Sequence, residues 1–265
     1  EEVVRAVKAA RSINLPCFIL GGGSNLLVSD KGFDGLVVRV EVPGLKLLGQ
    51  NEIECGAGES LQALVDFATE NSLTGLEFAS GIWGTVGGAI YGNAGAYGGE
   101  IGSVVTQVTL VDRDGKIKQA DQDYCRFGYR DSYLKQSGEV VTRARIQLRK
   151  GDQDEIRRKS REIQAIRIQR HPVKGYSAGC FFKNIPDSSQ EHGKIPAGRL
   201  LEEVGAKQMS LGGAKVWDKH ANIIVNTGTA TSADIRRLAD ILKQKVYAKF
   251  GIKLEEEVIH LGPFD

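Results

Sequence analysis

Two glycine-rich runs are the residues whose type and spacing point most clearly to chemistry. The first, residues 21–27, reads Gly-Gly-Gly-Ser-Asn-Leu-Leu and follows the strand-like residues 18–20; the second occupies residues 84–99. Backbone N–H groups approach a phosphate closely where no Cβ intervenes, and glycine adopts the positive φ angles of an anion-binding nest. Together with the hydroxyls of Ser24 and Thr85, the two runs predict two loops that bind a dinucleotide diphosphate.

The glycines also have a plainer interpretation, in which they serve tight turns and close packing. Two common nucleotide-binding fingerprints do not fit. A Rossmann fingerprint requires a third glycine and then a helix, whereas here Leu26 occupies that position and the apolar Leu27-Val28 follows. A Walker loop requires Gly-Lys-Ser/Thr, which neither run contains. We therefore expect a diphosphate site of another type.

Composition narrows the class of protein. The chain has 265 residues, enough for one large domain or two to three small ones, and its formal net charge of +2 does not favour a nucleic-acid partner. No apolar run approaches the ~20 residues of a membrane helix, and no signal-peptide pattern is present. The four cysteines form no C-x-x-C pair. We expect a cytoplasmic protein that binds no metal, nucleic acid or membrane.

Hydrophobic periodicity and turn residues predict a mixed α and β chain. The predicted helices cover residues 1–13, a segment starting at Ser60, residues 152–170, residues 198–204 and a long segment that opens with a capping box at 231–234. The predicted strands cover residues 18–20, 36–40, 53–55, 104–111, 140–148, 223–225 and 253–261.

Four further segments are dense in polar residues flanked by glycine or aromatic residues: 127–132, 177–184, 212–222 and 254–258. Each has a plainer interpretation when taken singly. An arginine beside a tyrosine is commonly a surface ion-pair residue, three consecutive glutamates are commonly solvated, and a lone cysteine after a glycine commonly packs in a core. The segments gain meaning only from their order along the chain.

In that order, these segments and both glycine runs resemble the UDP-N-acetylenolpyruvoylglucosamine reductase (MurB) family, flavoenzymes of bacterial peptidoglycan precursor synthesis. The resemblance runs from Pro16 to Gly262. Its motifs are LGGGSNLLV, GTVGGAIYGNAGAYG, RFGYRDS, AGCFFKN, GGAKV with HANIIVN, and LEEEV. The short spacing between Val140 and Cys180 resembles the compact subtype that lacks a tyrosine-bearing loop.

The resemblance implies an α+β fold, with a two-lobed FAD-binding domain of the vanillyl-alcohol-oxidase type and a smaller α+β substrate-binding domain. Residues 1–40 would form the first FAD-binding lobe, N-terminally incomplete and joined by residues 251–265. Residues 41–168 would form the second lobe, and residues 169–250 the substrate-binding domain.

The resemblance also implies a reaction. NADPH would reduce noncovalently bound FAD, and the enolpyruvyl ether of UDP-N-acetylglucosamine would then accept a hydride from flavin N5 at C3 and a proton at C2, giving UDP-N-acetylmuramate. The enzyme is expected to be a monomer. Two alternatives remain at this point: a flavoprotein of the same fold that acts on another small substrate, and a catalytically silent nucleotide-binding module.

Residue roles follow from the matched motifs. Arg130 would hold the enolpyruvyl carboxylate, Cys180 would donate the proton in place of the usual serine, and Glu257 would stabilise the intermediate. Strand alternation alone leaves Glu255 as a rival to Glu257. The residues implied to contact substrate are Tyr129, Arg170, Lys183 and Asn184. Those implied to contact FAD are Gly21, Gly22, Gly23, Ser24, Asn25, Leu26, Gly84, Thr85, Gly87, Gly88, Asn93, Gly95 and Ala96.

Overall fold

A computed structural model describes residues 1–172, 176–190 and 193–264 and divides the chain into two compact units. The first unit comprises Glu1–Gly23 and Gly35–Ala165, and the second comprises Ser24–Asp34 and Ile166–Asp265. The two units differ from the predicted three-part division in grouping residues 24–34 with the C-terminal part of the chain. The three-part division itself stays a prediction, whereas the predicted mixed α and β character is confirmed.

Eight α-helices occur among the described residues: α1 Glu2–Ser12, α2 Leu61–Glu70, α3 Val86–Gly92, α4 Gln122–Cys125, α5 Leu134–Ser137, α6 Gln153–Arg170, α7 Ala197–Glu203 and α8 Ser232–Phe250. The five helices predicted from periodicity correspond to α1, α2, α6, α7 and α8. None of the helices in the described ranges combines the length and the apolar character that a bilayer-spanning helix needs.

The strands of the described residues are mostly short and are numbered along the chain. They are β1 Cys17–Leu20, β2 Leu26–Val28, β3 Leu36–Arg39, β4 Leu45–Leu48, β5 Glu52–Gly56, β6 Leu73–Thr74, β7 Gly95–Ala96, β8 Gly99–Glu100, β9 Val105–Val111, β10 Ile117–Asp121, β11 Val140–Gln147, β12 Arg149–Lys150, β13 Tyr176–Cys180, β14 Ile185–Pro186, β15 Lys194–Ile195, β16 Ser210–Leu211, β17 Ala214–Val216, β18 Ile223–Asn226 and β19 Ile259–Leu261.

The core of the first unit lies against a five-stranded antiparallel sheet, in the order β10-β9-β11-β5-β4. The predicted helix starting at Ser60 is α2, which contributes Leu61, Leu64, Val65 and Ala68, all buried at the i, i+3, i+4, i+7 spacing of one helix face. Its N-cap is Ser60, whose hydroxyl accepts a hydrogen bond from the N–H of Ala63 at 3.0 Å. A separate parallel pair, β1 with β3, leads into the first glycine run.

The second glycine run is the main correction to the predicted elements, because much of it is helix α3 and not a loop. The Thr85 side chain caps the helix by accepting a hydrogen bond from the N–H of Gly88, and Asn93 ends it at φ 44°. Glycine costs about 1 kcal/mol relative to alanine in a helix, which is why the sequence favoured a loop. Helix α3 is stabilised by its apolar face, on which Val86, Ala89 and Ile90 are buried in the core.

The second unit contains a four-stranded antiparallel sheet, in the order β13-β18-β17-β16, and helix α8 shares its core. The predicted capping box is confirmed, with reciprocal hydrogen bonds between Thr231 and Asp234. Residues 24–34 join the unit through β2, which pairs in parallel with β19. The predicted last strand over 253–261 was too long: only Ile259–Leu261 is a regular strand, because residues 255–257 bond to residues 181–183 in an irregular pairing instead.

Two half-buried histidines of the second unit, His171 and His220, lie with ring centroids 5.5 Å apart. Burial is the main cause that lowers the pKa of His171 from 6.5 to about 4, and the nearby His220, Arg167 and Arg170 contribute to the same shift. Burial likewise lowers the pKa of His220. Both rings are therefore neutral at pH 7.

We expect this pair to make the second unit acid-sensitive. Unfolded histidine binds a proton near pH 6.5 and folded His171 only near pH 4, so between these values the unfolded state binds more protons. The contribution of His171 to the free energy of unfolding is complete above about pH 6.5 and is lost as the pH falls towards 4. Urea unfolding between pH 7 and pH 4 measures the slope, which His171→Gln should make shallower. Equal slopes for the two proteins would contradict this assignment.

Candidate active site

The two glycine runs meet inside the first unit through bare backbone. A Cβ added to Gly22 would lie 3.0 Å from the Cα of Gly84, and one added to Gly21 would lie 2.7 Å from the Thr85 hydroxyl oxygen. Gly22, Gly23 and Gly88 are exposed. Residues 21–23 and 84–88 thus form a backbone surface with few side chains, which is the geometry that a diphosphate requires.

The glycines of the second run do not all serve one purpose. Gly87 and Gly95 are required by packing, since a Cβ would lie 2.9 Å from the Cβ of Ala57 and 2.6 Å from the carbonyl oxygen of Gly99, respectively. Gly88 is not: its added Cβ would meet only the Thr85 hydroxyl, at an ordinary 3.5 Å. An exposed helical glycine that packing does not require fits a ligand that approaches the backbone closely.

Asn93, implied to contact FAD, has its side chain inside the protein. It is fully buried, its amide N–H₂ donates to the carbonyl of Gly128 at 2.7 Å, and its amide oxygen accepts from the N–H of Gly102 at 2.9 Å. The side chain therefore ties the end of the glycine run to the segment that carries Tyr129 and Arg130.

Arg130 and Tyr129 lie together beside the second glycine run. A guanidinium N–H of Arg130 donates to the carbonyl of Gly95 at 2.7 Å, and its Cζ lies 5.4 Å from the centre of the Tyr129 ring. Arg130 has φ 54°, a conformation that costs an arginine on the order of 1–3 kcal/mol and that is held here partly by Lys135, which donates to the Arg130 carbonyl at 2.6 Å. Such strain persists where the surroundings impose it.

In the second unit, two motifs implied to be catalytic lie side by side. The Glu257 N–H donates to the carbonyl of Phe181 at 2.8 Å, and the Lys183 N–H donates to the carbonyl of Glu255 at 2.8 Å. Phe182 and Glu256 form an isolated antiparallel bridge between these bonds. The segment that follows Cys180 is thereby aligned with the three glutamates.

The three glutamates differ in what surrounds their carboxylates. Glu255 is largely exposed and pairs with Lys183, whose Nζ lies 2.5 Å from Oε1. Glu256 lies between Lys243, at 2.7 Å, and the Nε2 of His260, at 2.9 Å. Glu255 thus pairs with the strand-like segment 181–183, and Glu256 pairs with residues outside it.

Cys180 is half-buried at the end of β13, directly after Gly179, whose φ is 77°. The pairing of β13 with β18 shifts register between Ser177 and Cys180, and such irregularities re-aim side chains near active sites. The following Phe181 and Phe182 are almost fully buried. Cys180 therefore stands at the border between an apolar core and a more open surface.

Other residues implied to contact substrate have structural partners as well. The side-chain oxygen of Asn184 accepts from the N–H of Ala197 at 3.1 Å, at the start of α7. Arg170 is exposed at the end of α6, and its carbonyl accepts from the indole N–H of Trp217 at 3.1 Å. Ser24, Asn25 and Leu26 belong to the second unit, whereas Gly21, Gly22 and Gly23 belong to the first.

Asn222 is a structurally important residue that lies in the polar segment 212–222 but received no role of its own from the sequence. It is buried, its amide N–H₂ donates to the carbonyl of Phe182 at 2.8 Å, and its amide oxygen accepts from the N–H of Phe182 at 2.9 Å. Its own carbonyl accepts from the N–H of Phe181 at 2.7 Å. The available signal was an asparagine inside the otherwise apolar residues 221–225.

Comparisons with known proteins identify the family. Residues 1–121 match the FAD binding domain family, and residues 171–261 match "UDP-N-acetylenolpyruvoylglucosamine reductase, C-terminal domain". The UDP-N-acetylenolpyruvoylglucosamine reductase of Caldanaerobacter subterraneus subsp. tengcongensis is 39% identical over 262 residues, which cover 99% of this chain and 84% of that protein. This chain belongs to the UDP-N-acetylenolpyruvoylglucosamine reductase family. The resemblance read from the motifs is confirmed.

Further relatives of the reductase family agree with this assignment. The Clostridioides difficile reductase is 37% identical and covers 99% of this chain and 84% of that protein. The solved structure of the Thermus caldophilus reductase (MurB) superposes with a TM-score of 0.80 at 35% identity and covers 96% of this chain and 88% of that one. With its FAD binding domain, the chain is an FAD-dependent oxidoreductase of the reductase family.

We expect Asn222→Leu to destabilise the second unit strongly. Leucine is similar in size but leaves the buried N–H and carbonyl of Phe182 without their partner, a loss of roughly 2–5 kcal/mol for two groups. Asn184→Leu, which removes one hydrogen bond at a helix start, is the matched control and should cost about 1 kcal/mol. Urea unfolding measures both. A cost for Asn222→Leu no larger than that of the control would contradict the assignment.

Proposed function

We propose that this chain reduces the enolpyruvyl ether of UDP-N-acetylglucosamine to UDP-N-acetylmuramate in peptidoglycan precursor synthesis, with NADPH as the reductant. Beyond family membership, one observation carries the proposal: the hydrogen bond from the Glu257 N–H to the Phe181 carbonyl, at 2.8 Å. It aligns the Cys180 motif with the glutamate motif, and both are needed for this reaction. We further propose a cytoplasmic location and a monomeric enzyme.

The residues of both glycine runs fit noncovalent FAD. The backbone of residues 21–23 and 84–88 in the first unit would hold the diphosphate, and the exposed Gly22, Gly23 and Gly88 support this because no side chain blocks their backbone. Bound FAD would supply the hydride that NADPH delivers to it and that the enolpyruvyl group then accepts. The chain's own residues would bind, orient and protonate the substrate.

Arg130 would bind the substrate carboxylate. A guanidinium is always charged and presents a planar fork that matches two carboxylate oxygens. The bond from one guanidinium N–H to the Gly95 carbonyl and the adjacent Tyr129 ring support this role, since they restrict the orientation of the fork. Tyr129, Arg170, Lys183 and Asn184 would contribute to the remainder of the substrate site.

Cys180 would protonate C2, and Glu257 would stabilise the charge that develops beside it. An ordinary cysteine thiol has a pKa of about 8.5 and is protonated at neutral pH, so it can act as an acid. The register of the matched motif selects Glu257 over Glu255 as the glutamate of this step, and the hydrogen bond from the Glu257 N–H to the Phe181 carbonyl supports this by aligning it with the segment after Cys180.

Gly88→Ala is expected to weaken FAD binding about tenfold without destabilising the apoprotein. The added methyl has room in the fold and improves helix propensity by up to ~1 kcal/mol, but it would stand between the ligand and the backbone. Fluorescence titration of apoprotein with FAD and thermal unfolding measure the two effects.

Gly87→Ala is the matched control for this experiment. Its methyl would lie 2.9 Å from the Cβ of Ala57, so it should lower the unfolding temperature of the apoprotein. FAD affinity in Gly88→Ala equal to that of the unsubstituted protein would remove this residue from the cofactor site.

Half-reaction kinetics test the proposed function directly. Anaerobic stopped flow should show rapid flavin reduction by NADPH and reoxidation by the enolpyruvyl substrate. Cys180→Ala should leave the first step nearly unchanged and slow the second ~100-fold or more, as expected for a lost general acid. Cys180→Ser should retain most of the rate because the hydroxyl still carries a proton.

The exposed Cys17 supplies the control, and Cys17→Ala should leave both steps unchanged. If Cys180→Ala is reoxidised within a few-fold of the unsubstituted rate, another group donates the proton. If the enolpyruvyl substrate does not reoxidise the unsubstituted protein, the proposed function itself is wrong.

A further inference from the structure

Glu257 is held at both of its backbone polar groups. Its N–H donates to the Phe181 carbonyl at 2.8 Å, and its carbonyl accepts from the side-chain amide of Asn25 at 3.0 Å. Fixing the peptide groups on both sides of one residue fixes its φ and ψ and therefore the direction of its Cα–Cβ bond. The place and direction in which the Glu257 side chain leaves the backbone are thereby fixed.

Asn25 is itself held in place by the same part of the chain. Its carbonyl accepts from the N–H of Ile259 at 3.1 Å, and the next residue, Leu26, begins the parallel pairing of β2 with β19 opposite Ile259. Asn25 therefore contacts residues on both sides of Val258, and its partly buried amide is oriented towards Glu257. These contacts all lie within the second unit.

We propose that Asn25 is a positioning residue for the reduction, whose side-chain amide fixes the backbone from which the Glu257 side chain extends, rather than binding the cofactor. This rests on the proposed role of Glu257. A displacement of about 1 Å in a catalytic group can cost on the order of 100-fold in rate, so one hydrogen bond to the Glu257 carbonyl has a large effect on the step in which Glu257 acts.

Asn25→Leu removes the amide donor without adding charge, and four measurements compare this variant with the unsubstituted protein. FAD affinity of the apoprotein and flavin reduction by NADPH should each stay within about threefold of the unsubstituted protein. Reoxidation by the enolpyruvyl substrate should slow by about 10- to 100-fold. Hydrogen exchange at the amides of residues 257–259 should become faster.

Asn51→Leu is the matched control. It removes one partly buried amide-to-carbonyl hydrogen bond, from Asn51 to Leu148 at 3.1 Å, in the other unit. It should leave FAD affinity, flavin reduction and reoxidation unchanged. Should Asn25→Leu fail to fold, Asn25→Ser, whose side chain is too short to reach the carbonyl, is measured in the same way.

A double-mutant cycle separates positioning from general destabilisation. If Asn25 acts through Glu257, then Asn25→Leu slows reoxidation little or not at all in a Glu257→Gln background. The proposal is overturned if the rate losses of the two single variants multiply in the double variant. It is also overturned if Asn25→Leu loses much of its FAD affinity but its flavin-loaded form is reoxidised at the normal rate. If the flavin of the Glu257→Gln single variant is reoxidised at the normal rate, the proposed role of Glu257 is wrong. If Glu257→Gln is slow but the flavin of Asn25→Leu is reoxidised at the normal rate, the positioning role of Asn25 is wrong.

Discussion

The two-way hydrogen bonding between the Asn222 amide and the backbone of Phe182 is the interaction on which the second unit's site depends. Residues 181–183 leave the regular ladder of β13, and Phe181 and Phe182 are buried, where an unpaired backbone group costs about 1–3 kcal/mol. The asparagine amide supplies one donor and one acceptor, as a neighbouring strand would. Because the Asn222 side chain bonds to both the N–H and the carbonyl of Phe182, the flanking Phe181 and Lys183 can bond to residues 255–257 on the other side.

The glycine runs combine two demands that a sequence pattern does not separate. Gly87 is needed because the Cβ of Ala57 lies 2.9 Å from where a Cβ of residue 87 would be, which is a packing role. Gly88 is exposed and is not required by packing, which fits the close approach of the ligand that we propose there. Both interpretations of the runs therefore apply, to different residues of the same surface.

The glutamate motif is held by ion pairs and by backbone hydrogen bonds. Lys183 and Lys243 pair with Glu255 and Glu256, and His260 adds a second contact to Glu256. The backbone of Glu257 is fixed by the Phe181 carbonyl and by the Asn25 amide. These bonds fix the place from which the Glu257 side chain extends, which suits the role that we propose for it in the reaction.

The sequence by itself determined the features that depend on neighbouring residues. The buried face of α2, the capping box at Thr231 and the family motifs could be predicted because their spacing along the chain reflects their chemistry. Tertiary structure decided the helix within the second glycine run, the short final strand and the partners of three asparagines. Asn25 bonds a residue 232 positions away and Asn222 one 40 positions away. A single hydrogen bond between distant segments leaves no periodic pattern, so only the folded chain reveals it.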